Sequence, residues 1–433
     1  MRRASFLLLA ITAIEAPTAL GAVTDEDFEL MRQQIVTLSA RLDALAAENA
    51  VLRRVQSQTE SDVTLVQTTV AEYQHPMVSG AGKSWTDTIR LDGDFRYRHE
   101  RIDVQDEDVR KRNRIRARTN IRAQLANDIE IGFGLATGGD DPVSTNQTLG
   151  SGGSSKNIAL NLAYADWEAV QDLHLIAGKY KNPLTRGGGQ ALMWDGDWTP
   201  EGVAVSYERN WFSAAAIGTW LESDSLNHND SFSWGGQINA KGEIGGMRLN
   251  GGLSYYSIQT KGKSTTFGDP ADPRDYLGNS AVEANGLACG TTPDTDCFYQ
   301  YDYLLTEVFA EAAFQIGGWP TSIFFDYVNN SDPDDQNMGW AMGAKIGQAK
   351  NRGQMQFSWF YADKDADSLF GLLTDSDFAG GGTDNKGHRF TLTYGVNESW
   401  AISAQYFINE FDVSTGNARD YDRLMIDTQW RWK

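Results

Sequence analysis

The chain has 433 residues, 43 glycines, 13 tryptophans, ten prolines, two cysteines and a formal charge of −20. Length alone suggests two to four soluble domains at ~100–200 residues each, yet beyond residue 22 no apolar run approaches the ~18 residues of a spanning helix. Mean hydropathy is −0.44. A helical membrane protein is therefore excluded, acidity argues against binding to nucleic-acid phosphates, and two cysteines build neither a disulfide-dense scaffold nor a Cys-based zinc module. A large soluble protein or a transmembrane β-barrel remains.

Residues 1–22 read as a secretory signal peptide: a basic Met1-Arg2-Arg3 start, an apolar stretch from Ala4 to Ile14, and small residues at Ala19-Leu20-Gly21-Ala22 for cleavage. Glu15 sits close to the apolar run, and a retained anchor is the alternative. Residues 23–75 keep a seven-residue repeat through Phe28, Met31, Ile35, Leu38, Leu42, Leu45 and Leu52, resumed at Val63, Val66, Val70 and Tyr73. Asn49 takes an a position, where a buried amide fixes register and oligomer state, and Gln56 and Thr59 make the weakest layer. The narrow stripe predicts a self-associating coiled coil in the periplasm; a single amphipathic helix lying on the main domain is the alternative. Residues 76–84 form a linker after His75-Pro76.

From residue 85 to 433 the period changes to two. Ile115, Ala117, Thr119, Ile121 and Ala123 alternate with Arg114, Arg116, Arg118, Asn120 and Arg122, and Asn127-Asp128 then turns the chain. The alternation and turn residues predict about sixteen strands, the first over 86–99 and the last over 422–432. Seven connections are tight: Asn127-Asp128, 169–171, Arg209-Asn210, 242–245, Gly317-Gly318, 349–351 and Asn397-Glu398. Eight are longer, the largest at about 259–300. Short turns at one end and long loops at the other, with an even strand number, describe an all-β, antiparallel outer-membrane barrel. Aromatics such as Tyr97, Trp220, Tyr255, Tyr394 and Trp432 fall on the apolar rows near strand ends, as interfacial girdles do. A soluble sandwich also alternates, but would need an unusually large core.

If the apolar rows face lipid, the other rows line a pore. Arg90, Arg96 and Arg98 of the first strand and Arg114, Arg116, Arg118 and Arg122 of the second then form a basic wall, extended by Arg423 and Arg431 of the last strand. Some of these would pair with Asp92, Asp94 or Asp427. The loop at about 181–201 carries Arg186, the flexible Gly187-Gly188-Gly189 and the acids Asp195, Asp197 and Glu201. Folded inward, it would set those acids against the arginines as a constriction that filters by charge; a solvated surface loop is the alternative.

The stretches Gly93-Asp94-Phe95-Arg96-Tyr97-Arg98 and Arg112-Asn113-Arg114-Ile115-Arg116-Ala117-Arg118 resemble the opening of the bacterial "putative porin" family. Gly178-Lys179-Tyr180-Lys181-Asn182-Pro183 and Trp194-Asp195-Gly196-Asp197-Trp198 are similar to its later blocks. The likeness runs over most of 85–433. It implies an outer-membrane diffusion channel, surrounded by outer-membrane lipid and lipopolysaccharide and assembled as a homotrimer, and it supplies no substrate.

Other chemistry is thin. His75, His99, His174, His228 and His388 show no metal-ligand spacing, and neither a nucleophile elbow nor a P-loop occurs. His174 with a serine on a neighbouring strand is the one place for a nucleophilic pair, and a structural histidine is the preferred reading. Cys289 and Cys297 share the largest loop and would form a disulfide outside the cytoplasm. Acidic segments at 332–335 and 363–367 read as solvated loops rather than cation sites. Neither a cofactor nor a metal is expected, and nucleic acid is not a partner. These features together predict a non-enzymatic, water-filled porin for small hydrophilic solutes and ions, whose coiled coil helps trimerise it or contacts peptidoglycan. A substrate-specific channel for phosphate or carboxylates is the rival within transport, and an outer-membrane tether the rival outside it.

Overall fold

A computed structural model describes residue 32 and residues 88–190, 192–223 and 230–433. The expected signal peptide, coiled coil and linker lie outside the described residues, residue 32 excepted. Among the described residues no helix is long and apolar enough to cross a membrane.

Sixteen strands form the wall: β1 (Ile89–Val104), β2 (Arg110–Gln124), β3 (Ile129–Thr137), β4 (Ile158–Val170), β5 (Leu173–Lys179), β6 (Glu201–Arg209), β7 (Phe212–Glu222) and β8 (Ser231–Ile244) make one half. The other half is β9 (Met247–Ile258), β10 (Tyr303–Ile316), β11 (Trp319–Asn330), β12 (Met338–Gly347), β13 (Met355–Lys364), β14 (Asn385–Asn397), β15 (Trp400–Phe411) and β16 (Arg419–Trp432). Each pairs antiparallel with the next, and β16 returns to β1 from Gly93↔Trp432 to Val104↔Tyr421, so no edge is left open. A closed ladder leaves no strand with an unpaired edge, which a bilayer core demands.

Side-chain alternation assigns the two faces. Ile121, Phe133, Val203, Ile323 and Leu392, all on one row of their strands, are between 43% and 52% exposed and face outward. Arg98, Glu100, Arg116, Arg423 and Asp427, on the opposite row, are buried inside. The tight turns use residues that tolerate positive φ, namely Asn127 and Asp128, Asp172, Asn210, the Gly245-Gly246 pair and the Gly317-Gly318 pair. Four turns sit later than expected, at 171–172, 210–211, 245–246 and 398–399, and in the first three the strands run on until such a residue is reached. Thus β8 continues through Lys241 to Ile244, and Gly245-Gly246, at φ 60° and 80°, makes the bend.

The inner row departs from a purely polar lining. Phe309, Phe360, Phe407, Tyr256 and Met425 are buried on it, covered by Leu192, Trp194, Leu372 and Phe378 from the loops at 180–200 and 365–384. A loop held inside a barrel loses conformational freedom, and burying apolar side chains against the wall offsets that loss. The loop at 259–302, with Cys289 and Cys297 joined in a disulfide, packs on 365–384: Asn279 Nδ2 donates to the Ala366 and Leu369 carbonyls, each at 2.8 Å. The reading of 363–367 as a solvated loop is therefore corrected. Asp367 is 2% exposed and accepts from the Ser280 backbone N–H and hydroxyl at 2.9 and 2.6 Å.

Candidate functional site

The register of β1 against β2 sets arginine opposite arginine three times, at Arg90↔Arg122, Arg96↔Arg116 and Arg98↔Arg114. Like charges directly opposite one another destabilise a sheet, so acids must be interleaved. Asp94 accepts from Arg116 at 3.0 Å and pairs with Arg118 at 2.7 Å, while Asp92 pairs with Arg122 at 2.5 Å. From β16, Asp427 accepts from Arg98 Nε at 2.7 Å, and Arg423 reaches Glu100 at 3.0 Å. Arg112 also donates to Glu100, and Arg114 lies 3.7 Å from it. Arg96 donates to the Asn146 amide at 2.6 Å and lies 3.9 Å from Asp427. The basic wall is thus an ordered ladder of alternating charge.

The 180–200 loop enters the barrel because several contacts hold it to the wall. The Gln237 amide clasps the Thr185 backbone, accepting its N–H at 2.7 Å and donating to its carbonyl at 2.8 Å. Gly188, at φ 58°, sits directly over the Phe324 ring, where a Cβ would come within 2.2 Å. Trp194 and Trp198 stack with ring centroids 4.8 Å apart. Asp195 accepts from the Asp197 backbone N–H at 2.8 Å, turning the chain so that the Asp197 carboxylate meets Arg118 at 2.9 Å and Arg116 at 3.5 Å. Arg186, from the same loop, borders a cavity beside Asp197.

Glu201 does not join this group. It opens β6, its side chain is 64% exposed, and it pairs with Lys179 at 2.7 Å. The loop has ended before it, and the strand register Lys179↔Glu201 decides its partner. Among the described residues Asp195 forms no ion pair with an arginine: its carboxylate accepts from the Ser376 backbone N–H at 3.1 Å and its own N–H donates to the Leu373 carbonyl at 2.8 Å. Its role is to join the two inserted loops.

That second loop, 365–384, carries acids the sequence reading missed. Asp377 lies 2.8 Å from Arg98 and 2.9 Å from Arg423, and Asp375 lies 2.8 Å from Arg389, which also donates to Gln190. The two loops and the ladder enclose a cavity of about 180 Å³ lined by Arg96, Arg116, Arg186 and Arg389 and by Asp195, Asp197, Asp375 and Asp377. The loop carboxyls differ in character. Burial, then the neighbouring Asp375 and Asp197, pushes Asp195 well above the usual carboxylate range. Burial would raise Asp377 too, but Arg98 and Arg423 override it and hold this carboxyl far below that range. Asp197 is likewise lowered, the pull of Arg116 and Arg118 exceeding the effect of burial.

Arg90 and Arg431 stand apart toward the turn end of the barrel, beside a larger cavity of about 890 Å³. His174 Nδ1 lies 2.9 Å from the Asp166 carboxylate, and Ser206, opposite it across β5 and β6, makes no hydrogen bond to it. Among the described residues no group of three His, Cys, Asp or Glu side chains is placed to hold a metal.

Among solved structures, Pseudomonas putida OprB shares the fold at 9% identity and a TM-score of 0.54, over 80% of this chain and 95% of that one. Salmonella typhi OmpF in complex with daunomycin aligns at 12% identity and a TM-score of 0.47, over 81% of this chain and 100% of that one. Vibrio cholerae OmpT in its trimer form aligns at 11% and 0.45, over 80% and 99%. No curated protein matches the sequence. The profile of the family described as "putative porin" matches residues 103–283 and 250–432, most of the chain, and the chain belongs to that family.

Proposed function

We propose that the chain is a water-filled channel of the outer membrane through which small hydrophilic solutes and ions diffuse passively, and that the arginine ladder facing the loop aspartates is its constriction. The observation carrying this reading is Asp197, brought by an inserted loop to within 2.9 Å of Arg118 on the facing wall. Fixed charges of both signs across a narrow passage orient dipolar solutes and bias ions by charge. Four arginines against four aspartates around the cavity of about 180 Å³ balance in charge, which favours a general channel over an anion-specific one.

In this reading residues 1–22 direct export, residues 23–75 form a periplasmic coiled coil, and that coiled coil helps to hold a homotrimer. Liposome swelling with the full chain tests the channel: monosaccharides should enter quickly and larger oligosaccharides should be excluded. No swelling from a barrel that still shows heat-modifiable migration overturns the proposal. A native-gel trimer that survives deletion of 23–75 removes the coiled coil from assembly.

A further inference from the structure

The charge balance of the constriction does not extend to the turn end of the barrel. There a cavity of about 890 Å³ is lined by six lysine and arginine side chains against three aspartates. The three aspartates are already committed: Asp92 to Arg122 at 2.5 Å, and Asp94 and Asp197 to Arg116 and Arg118. Arg90, Lys181 and Arg431 line the same cavity, and among the described residues none has a carboxylate within 4 Å. The Arg431 guanidinium donates to the Gln429 side chain at 3.0 Å.

Their placement is specific. Arg90 stands directly opposite Arg122 on β2, and Arg431 directly opposite Asp94 on the other flank of β1. Lys181 comes from the root of the inserted loop, so cations from three separate segments converge on one space. An arginine facing an arginine costs stability unless an anion lies between them, and the single carboxylate nearby, Asp92, serves only one of the two. Asn120, Asn161 and Thr199 also line the cavity, the Asn120 amide donating to Asp92 at 2.9 Å. Arginine forks suit planar or tetrahedral oxyanions with more than one charged oxygen.

We propose that this turn-end vestibule is a binding site for small dianionic oxyanions, phosphate or a short dicarboxylate, held at the mouth of the constriction. The proposal rests on the channel reading for its purpose and on the unpaired cations for its chemistry. Like a charged anteroom, it would concentrate such solutes beside a passage that is itself charge-balanced.

The test is calorimetric titration of the refolded full chain in detergent with inorganic phosphate, and separately with succinate, at fixed ionic strength. Saturable binding is expected, with the tighter of the two probes naming the class. The R90S/K181S/R431S triple variant should bind at least about tenfold more weakly, as expected for loss of charge-assisted hydrogen bonds. Asp92→Asn should bind more tightly, because it releases Arg122 to the ligand; a folding defect cannot produce that opposite sign. Absence of saturable binding to the wild-type chain, or equal affinity in wild type and triple variant, overturns the proposal. Binding is read without ion flow, so a chain that conducts but does not bind refutes the site alone. A chain that binds but does not conduct refutes the diffusion channel alone.

Discussion

Replacing Asp197 by Asn removes one negative charge from the constriction and little else. Arg116 and Arg118 both keep Asp94, at 3.0 and 2.7 Å, so neither is left as the unpaired buried charge that makes such substitutions severe. The barrel should therefore assemble normally. An ion passing ~5 Å from the lost charge would feel a change of about 0.8 kcal/mol in bulk water, reduced to about 0.5 kcal/mol at ~0.1 M salt, where the screening length is ~10 Å. The sign is opposite for cation and anion, so the two effects add to about 1 kcal/mol, roughly a fivefold rise in the anion-to-cation permeability ratio. Reversal potentials across planar bilayers in a potassium chloride gradient measure this directly. An unchanged reversal potential, or a shift toward cations, refutes the placement of Asp197 in the ion path.

Three further outcomes follow from the same geometry. Asp377→Ser removes the carboxylate between Arg98 and Arg423, but Asp427 still pairs Arg98 at 2.7 Å and Glu100 still pairs Arg423 at 3.0 Å, so the cost stays below the about 3–5 kcal/mol of a buried charge left alone; the 365–384 loop should loosen, giving noisier open-channel current and a lower temperature of heat-modified migration. Gly188→Val places a branched side chain at φ 58° and against Phe324, costing about 1–2 kcal/mol of left-handed strain plus about 1–3 kcal/mol of overpacking; single-channel conductance should rise as the 180–200 loop lifts off the wall. Acidification should neutralise Asp195 first, because its carboxyl is raised by burial and by Asp375, while Asp197 and Asp377 stay ionised. Selectivity should then move toward anions at pH values still above the ordinary carboxylate value of about 4, and Asp195→Asn should abolish that movement. The stability signs differ: the raised Asp195 favours the fold below the ordinary value and loses that contribution as pH climbs through its own, whereas Asp377 contributes above the ordinary value and loses it only as pH falls through its depressed one.

The wall was legible in the sequence because a strand between lipid and water must alternate, and all sixteen strands announce themselves that way. The arginines of β1 and β2 were legible for the same reason: their parity places them inside. Glu100 was lost because charged residues at 99–101 look like the start of a loop, whereas β1 runs on to Val104 with Arg101 and Asp103 paired to each other at 2.6 Å. Asp377 was lost because its partner Arg98 is 279 residues away, and an acidic segment carries no local sign of which surface it will meet. Glu201 was misplaced for the converse reason, as one residue decides whether an acid belongs to the inserted loop or to the strand after it. Tertiary partners, rather than local pattern, settle all three.

The central claim, an open diffusion path bounded by fixed charges, is tested most directly by conductance of the purified full chain in planar bilayers. Step-like insertions should appear whose conductance rises nearly in proportion to potassium chloride concentration, without saturation. Correctly folded barrel that inserts and gives no conductance steps would contradict the account.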